Sequence, residues 1–267
     1  MPCSWKSLTT GKPIMRDKVI SALRQLELEH QCRFLFAAEA GSRAWGFASP
    51  DSDYDIRAIY VKPLDWYLSI NEKPQDTIAA MLPGEMDISA WELRKTLRLF
   101  QGCNLALNEW LTSPILYFAE PEFLNAMRSF LLQCFNPIKA VHHYLAMAQK
   151  SLDTMTADGV ISIKKLFYAL RGVLAAAWCC HCQTMPPVEF TKLLRSEWVP
   201  SDIDGVIREL LAQKQQAREG EGLVMLAELK AFLDEIRTAC QAQAPGLVPK
   251  LLRSDKLDGL FLEWVKK

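Results

Sequence analysis

Asp51, Asp53 and Asp55 fall within five positions of the segment GSRAWGFASPDSDYDIRAIYV (41–61), and the apolar run IRAIYV follows at once. Residues two apart on a strand project from the same side, so Asp53 and Asp55 bring their carboxylates close together. Like charges at that spacing repel, and a strand entering a core avoids them unless something cationic belongs there. An all-oxygen donor pair suits Mg²⁺ or Mn²⁺ rather than the softer ligation of zinc. Asp87, in EMDISAW, completes a three-carboxylate set if its strand lies beside the first. Glu85 is the first alternative to it. Such a set leaves positions for water and phosphate oxygens, which is the two-metal logic of phosphoryl transfer. Gly41 and Ser42 add what carboxylates cannot supply. Glycine permits close backbone approach, and a serine hydroxyl with nearby amides can hold a terminal phosphate. Arg43 either binds phosphate or pairs with Glu39 or Asp51. Arg57 shares the strand face of Asp53 and Asp55 and either balances them or serves the chemistry.

These residues need elements to hold them. DKVISALRQLELEH carries apolar residues at helical spacing, and CRFLFAAEA reads as a buried strand ended by Gly41-Ser42. RAWGF suits a short turn of helix. DYDIRAIYV reads as a strand with Tyr54, Ile56, Ala58 and Tyr60 on one face and Asp53, Asp55, Arg57, Ile59 and Val61 on the other. DTIAAML and EMDISAW form a hairpin across Pro83-Gly84, and ELRKTLRLFQG switches to helical period. From Glu120 onward the segments PEFLNAMRSFLLQCF, PIKAVHHYLAMAQKSL, ISIKKLFYALRGVLAAAWCCHC, SDIDGVIRELLAQKQQ and LVMLAELKAFLDEIRTAC all read helical. The chain is therefore mixed α/β to about Tyr117 and helical after it, which divides it into 1–118 and 119–267.

In IKKLFYALRGVLAAAW, Ile163, Leu166, Phe167, Leu170 and Leu174 form a core face. Lys164, Tyr168 and Arg171 follow i, i+4, i+7 spacing on another, with Lys165 to its side. A cationic stripe carrying an aromatic can meet phosphates and stack a base; alone, it is a solvated helix face. Spacing does not choose between Lys164 and Lys165. His142 and His143 sit within a helical pattern, where packing is the default. Trp45 and Trp91 flank the aspartates in sequence and read as packing residues.

The Gly-Ser pair, SDYD about ten residues on, and a third aspartate before a helix resemble the nucleotidyltransferase superfamily typified by DNA polymerase β. More narrowly, AEAGSRAWGFASPDSDYDIRAIYV with MDISAWELRKTLRLF, NEWLTSPILY and KKLFYALR is similar to the RlaP-type (RNA-ligase-associated) nucleotidyltransferases, from about Phe34 to Trp178. The resemblance implies an α+β chain: a polymerase β-like mixed sheet with flanking helices, then an all-helical C-terminal region forming one wall of the cleft. It implies that Gly41 and Ser42 bind the triphosphate, Asp53 and Asp55 ligate metal, and Asp87 draws the proton from the attacking hydroxyl. It implies transfer of a nucleoside monophosphate to a hydroxyl, with an RNA end the leading acceptor. A serine often precedes the Gly-Ser pair in that family; here the position is Ala40. Asn104 and Glu109, in GCNLALNEW, match a family block without revealing a role. Two readings compete: a nucleotide-binding module that transfers nothing, and an interaction protein built on the helical half. A protein or small-molecule acceptor would also satisfy the motif.

Composition sets the outer limits. In 267 residues, Lys plus Arg and Asp plus Glu number 31 each, so no overall basic field holds nucleic acid, and any polynucleotide must meet a local patch. MPCSWKSLTTGKP lacks the apolar stretch of a signal peptide, no run suits a membrane span, and eight scattered cysteines show no disulfide framework. A reducing cytoplasm is the expected setting. WCCHCQ suggests zinc, but consecutive helical residues cannot all converge on one tetrahedral ion.

Overall fold

The computed structural model describes residues 13–71, 75–216, 220–250 and 254–267. The chain forms two compact units. Among the described residues, one comprises those up to Ala44, Asp53–Cys134 and the C-terminal helix; the other comprises Trp45–Ser52 and those from Phe135 to Lys250.

The first unit is built on helix α1 (Pro13–His30), strand β1 (Arg33–Glu39), the short helix α2 (Gly41–Trp45), β2 (Tyr54–Val61) and α3 (Leu64–Tyr67). There follow β3 (Thr77–Leu82), β4 (Met86–Glu92), α4 (Leu93–Gln101), α5 (Leu105–Leu111), β5 (Leu116–Ala119) and α6 (Pro121–Cys134). Its sheet runs β3-β4-β2-β1-β5. Strand β1 is antiparallel to β2 and β5, β3 and β4 form the expected hairpin, and β2 lies parallel to β4. The alternation read from DYDIRAIYV holds: Ile56, Ala58 and Tyr60 join Ile88 and Ala90 in a core closed by Val19, Leu23 and Leu26 of α1. Each fully buried Ile, Leu or Val of that core contributes about 1.5–3 kcal/mol. Helix α4 packs on β2 and β4, and Glu92 caps its start by accepting from the Arg94 and Lys95 amides. Strand β5 lies in ILYFA, whose apolar run is too short to show its periodicity.

The second unit is mostly helical: α7 (Pro137–Leu152), α8 (Ile163–Cys182), α9 (Phe190–Leu194), α10 (Ser201–Lys214) and α11 (Ala227–Gln243), with strands β6 (Val160–Ser162) and β7 (Gly222–Val224). The segment LVM, read as the start of a helix, instead pairs with β6, Leu223 opposite Ile161. The β-branched residues Val160, Ile161 and Val224 suit that ribbon, and α11 starts only at Ala227. Helices α7 and α8 approach closely because Gly172 has no side chain: a Cβ there would lie 2.7 Å from the Tyr144 carbonyl oxygen. Helix α12 (Ser254–Lys266) closes the chain and packs on α4 of the first unit.

Candidate active site

Parallel pairing of β2 and β4 sets Asp55 directly opposite Asp87. Ile56 and Ile88, next in each strand, turn into the core, so Asp55 and Asp87 share the opposite face with Arg57 and Ser89. Two carboxylates brought together this way need a cation, and the chain supplies one. Arg57 Nη2 donates to Asp55 Oδ1 at 2.6 Å and to Asp87 Oδ2 at 2.8 Å, while Nη1 donates to the Asp87 carbonyl at 3.0 Å. Arg57 therefore balances the acidic pair in this structure. Asp53 lies just ahead of β2 and is exposed; its carbonyl accepts from Arg43 Nε at 3.0 Å. The Arg43 guanidinium lies 3.8 Å from the centre of the Tyr54 ring.

Gly41 begins the turn after β1 at φ +57°, a conformation that costs other residues about 1–2 kcal/mol. A Cβ there would fall 2.1 Å from Asp55 Oδ2, so the carboxylate rests directly against the glycine backbone. Only glycine allows that approach. Ser42 beside it is buried.

A fourth acid lies beneath the pair. Glu39, at the end of β1, is 1% exposed. Its carboxylate accepts the Asp55 amide at 2.7 Å and the Tyr117 hydroxyl. Burial pushes Glu39 up to about 7, although both hydrogen bonds oppose the rise. Burial and the adjoining Glu39 charge also raise the Tyr117 phenol above its ordinary range. Sequence reading gave Glu39 no role beyond a possible partner for Arg43. The available signal was a lone acid closing the apolar strand FLFAAE.

The oxygen-only donor set fits a hard divalent ion, and the bridging guanidinium marks where positive charge belongs. Among the described residues, however, no group of three or more His, Cys, Asp or Glu side chains is gathered as a ready metal site.

The helical stripe lies in the second unit. Lys164, Lys165 and Tyr168 are half-buried, and Tyr168 packs edge-on to Trp45 at 5.0 Å. Arg171 departs from the expected cationic face: it is fully buried, its guanidinium 4.3 Å from the Trp45 ring centre and 5.8 Å from that of Tyr144. Helix α7 covers the face that helical spacing alone would leave in solvent. Trp45 packs as read, and Trp91 lies 4.1 Å from Trp110. Asn104 acquires a role: its side chain accepts the Leu107 amide and caps α5. His142 and His143 are exposed on α7. In WCCHC, Cys179 and Cys180 are buried while His181 stacks on Trp198 and Cys182 is exposed, so these groups diverge around α8. No helix among the described residues is long and apolar enough to cross a membrane.

A Bacillus subtilis (strain 168) protein named "Uncharacterized protein YcgL" is 37% identical over 246 residues, covering 91% of this chain and 92% of its own. The model of the RlaP family, described as the RNA repair pathway DNA polymerase beta family, matches residues 15–263. With a mixed sheet that sets Asp55 opposite Asp87 beside Gly41, and a family match spanning nearly its whole length, the chain belongs to the RlaP family of polymerase β-like proteins of RNA repair.

Proposed function

We propose that the protein transfers a nucleoside monophosphate from a nucleoside triphosphate to a hydroxyl at an RNA end, releasing pyrophosphate. The observation that carries this reading is the pair Asp55 and Asp87, held in parallel register around the Arg57 guanidinium, with Asp55 pressed against Gly41. Gly41 and Ser42 seat the triphosphate, with Arg43 beside them. Asp53, Asp55 and Asp87 would hold Mg²⁺ or Mn²⁺, which supplies Lewis-acid stabilisation of the phosphates when bound. The acceptor oxygen attacks the α-phosphorus as Asp87 takes its proton. An O–P bond to the acceptor forms, the bond from the α-phosphorus to pyrophosphate breaks, and pyrophosphate leaves with that electron pair. Arg57, which bridges Asp55 and Asp87, would release them to such an ion. Lys164, Lys165 and Tyr168 keep the cationic and aromatic character on α8 that can meet phosphate. Arg171 does not, because its guanidinium is enclosed.

The test is transfer from each labelled triphosphate, with Mg²⁺ or Mn²⁺, to RNA with free hydroxyl ends, to protein and to small alcohols. Label on RNA is expected. Asp87→Asn should keep most triphosphate binding and lose on the order of a hundredfold or more in single-turnover rate, the scale of general-base loss. A wild type that binds triphosphate but labels no acceptor would make this a nucleotide-binding module. Label on another acceptor would overturn the RNA assignment alone.

A further inference from the structure

We propose that Glu39 is a positioning residue, holding the Asp55 carboxylate where triphosphate and metal are engaged. This rests on the triphosphate-site reading above and deepens it.

The ladder between β1 and β2 ends with Glu39 opposite Ile56, so the Asp55 amide lies one residue beyond regular pairing. At a strand end such an amide is ordinarily left to water. Here the Glu39 side chain stands in for the missing strand, accepting the Asp55 amide at 2.7 Å, while the Ala40 amide donates to the Asp55 carbonyl at 2.8 Å. Asp55 is thus gripped at both its main-chain groups by two consecutive residues.

Glu39 is itself held from three sides. The Tyr117 hydroxyl donates to its second carboxylate oxygen, Ser113 Oγ donates to its carbonyl at 2.6 Å, and its amide donates to the Ile115 carbonyl at 2.9 Å. The result is a chain of contacts from β5 through Glu39 to Asp55, ending where Asp55 Oδ2 lies against Gly41. A carboxylate suits this place because two donors converge on it and charged acceptors form roughly twice as strong hydrogen bonds as neutral ones. Burying it is costly, and a small apolar residue would fill the core more cheaply. What the acid secures is the position of Asp55.

The test compares the full-length wild type with Glu39→Leu, Glu39→Gln and Tyr117→Phe. Binding of non-hydrolysable nucleoside triphosphates is measured with Mn²⁺ and, separately, in chelator, alongside thermal unfolding. Glu39→Leu should weaken the Mn²⁺-dependent part of binding tenfold or more and leave the chelator value unchanged. Glu39→Gln, which keeps an acceptor for the Asp55 amide, should recover most of the loss. Tyr117→Phe, which frees one side of the carboxylate, should show a smaller loss of about threefold. A role confined to packing would lower the unfolding temperature without splitting the two binding values. If Glu39→Leu does not fold, an unchanged Mn²⁺-dependent affinity in folded Tyr117→Phe overturns the proposal. Equal Mn²⁺-dependent binding by wild type and all folded variants also overturns it, with the triphosphate site intact. A wild type that binds no triphosphate with Mn²⁺ overturns the underlying reading, and this proposal with it.

Discussion

Glu39 in the first unit and Arg171 in the second are both charged residues buried within a core, yet their surroundings differ. Glu39 is met by two directional donors, the Asp55 amide and the Tyr117 hydroxyl, one of which belongs to the candidate active site. Arg171 lies against the faces of Trp45 and Tyr144. One arrangement grips the backbone of Asp55; the other sets a long cationic side chain over aromatic rings. Burial of charge alone therefore does not mark a site. The partner it orients does.

The largest effect expected from this contrast belongs to Arg171. Arg171→Ala should destabilise the protein by about 3 kcal/mol or more, the scale of truncating a large buried side chain, measured by urea denaturation. Triphosphate binding by the protein that remains folded should be unchanged. An undiminished urea midpoint with weakened triphosphate binding would reverse the comparison and return Arg171 to the phosphate-facing stripe.

Glu39 gives the next largest effect, in the pH dependence of stability. Its folded-state value, about 7, lies above the ordinary 4.5. Between those values the folded state keeps a proton that the unfolded chain has lost, so the stability contributed by this group is full below about pH 4.5 and is lost as pH rises through 7. Glu39→Gln carries no such titration. In chelator, its stability relative to wild type should therefore rise by up to about 3 kcal/mol between about pH 4.5 and pH 8, since a tenfold difference in proton affinity between folded and unfolded chains corresponds to about 1.4 kcal/mol. A difference that stays flat with pH would mean that Glu39 meets water or another charge, and the contrast with Arg171 would weaken.

The same two regions show what a sequence discloses. Asp55 and Asp87 stand out because strand alternation makes their spacing meaningful and the Pro83-Gly84 hairpin brings β4 beside β2, whereas Asp53 lies ahead of β2. Gly41 is legible for a similar reason, since a glycine before a serine at a strand end has few other uses. Glu39 was hard to see because its function depends on Tyr117, 78 residues away, and on an amide rather than a side chain. Arg171 escapes the sequence for a different reason. Helical period identifies which residues share a face, but not whether a neighbouring helix covers that face. Gly172, which lets α7 come close, was the available clue. The strand in ILYFA and the ribbon strand in LVM were lost to short apolar runs that periodicity cannot assign.

Arg57 yields the smallest effect on stability and the sharpest test of what the acidic pair is for. Its side chain is 18% exposed, and those of Asp55 and Asp87 are 29% and 36% exposed, so water screens much of their attraction. Arg57→Ala in chelator should therefore cost only about 1 kcal/mol or less, from the lost guanidinium contacts to the two carboxylates and to the Asp87 carbonyl. Adding Mg²⁺ distinguishes a structural ion pair from a metal site held in reserve. In wild type the ion must displace the guanidinium, so part of its binding free energy is spent breaking two existing bonds. In Arg57→Ala that guanidinium no longer competes for the carboxylates, and any ligand that binds only the folded state raises stability in proportion to its affinity. The increase in melting temperature with Mg²⁺ should accordingly be larger in Arg57→Ala than in wild type, and should vanish in Arg57→Ala combined with Asp55→Asn. A monovalent salt of matched ionic strength should not reproduce it, because screening relieves repulsion without occupying the pair. If Mg²⁺ stabilises both proteins equally, the ion binds elsewhere, and Asp55 and Asp87 are the two sides of an ion pair whose natural occupant is Arg57.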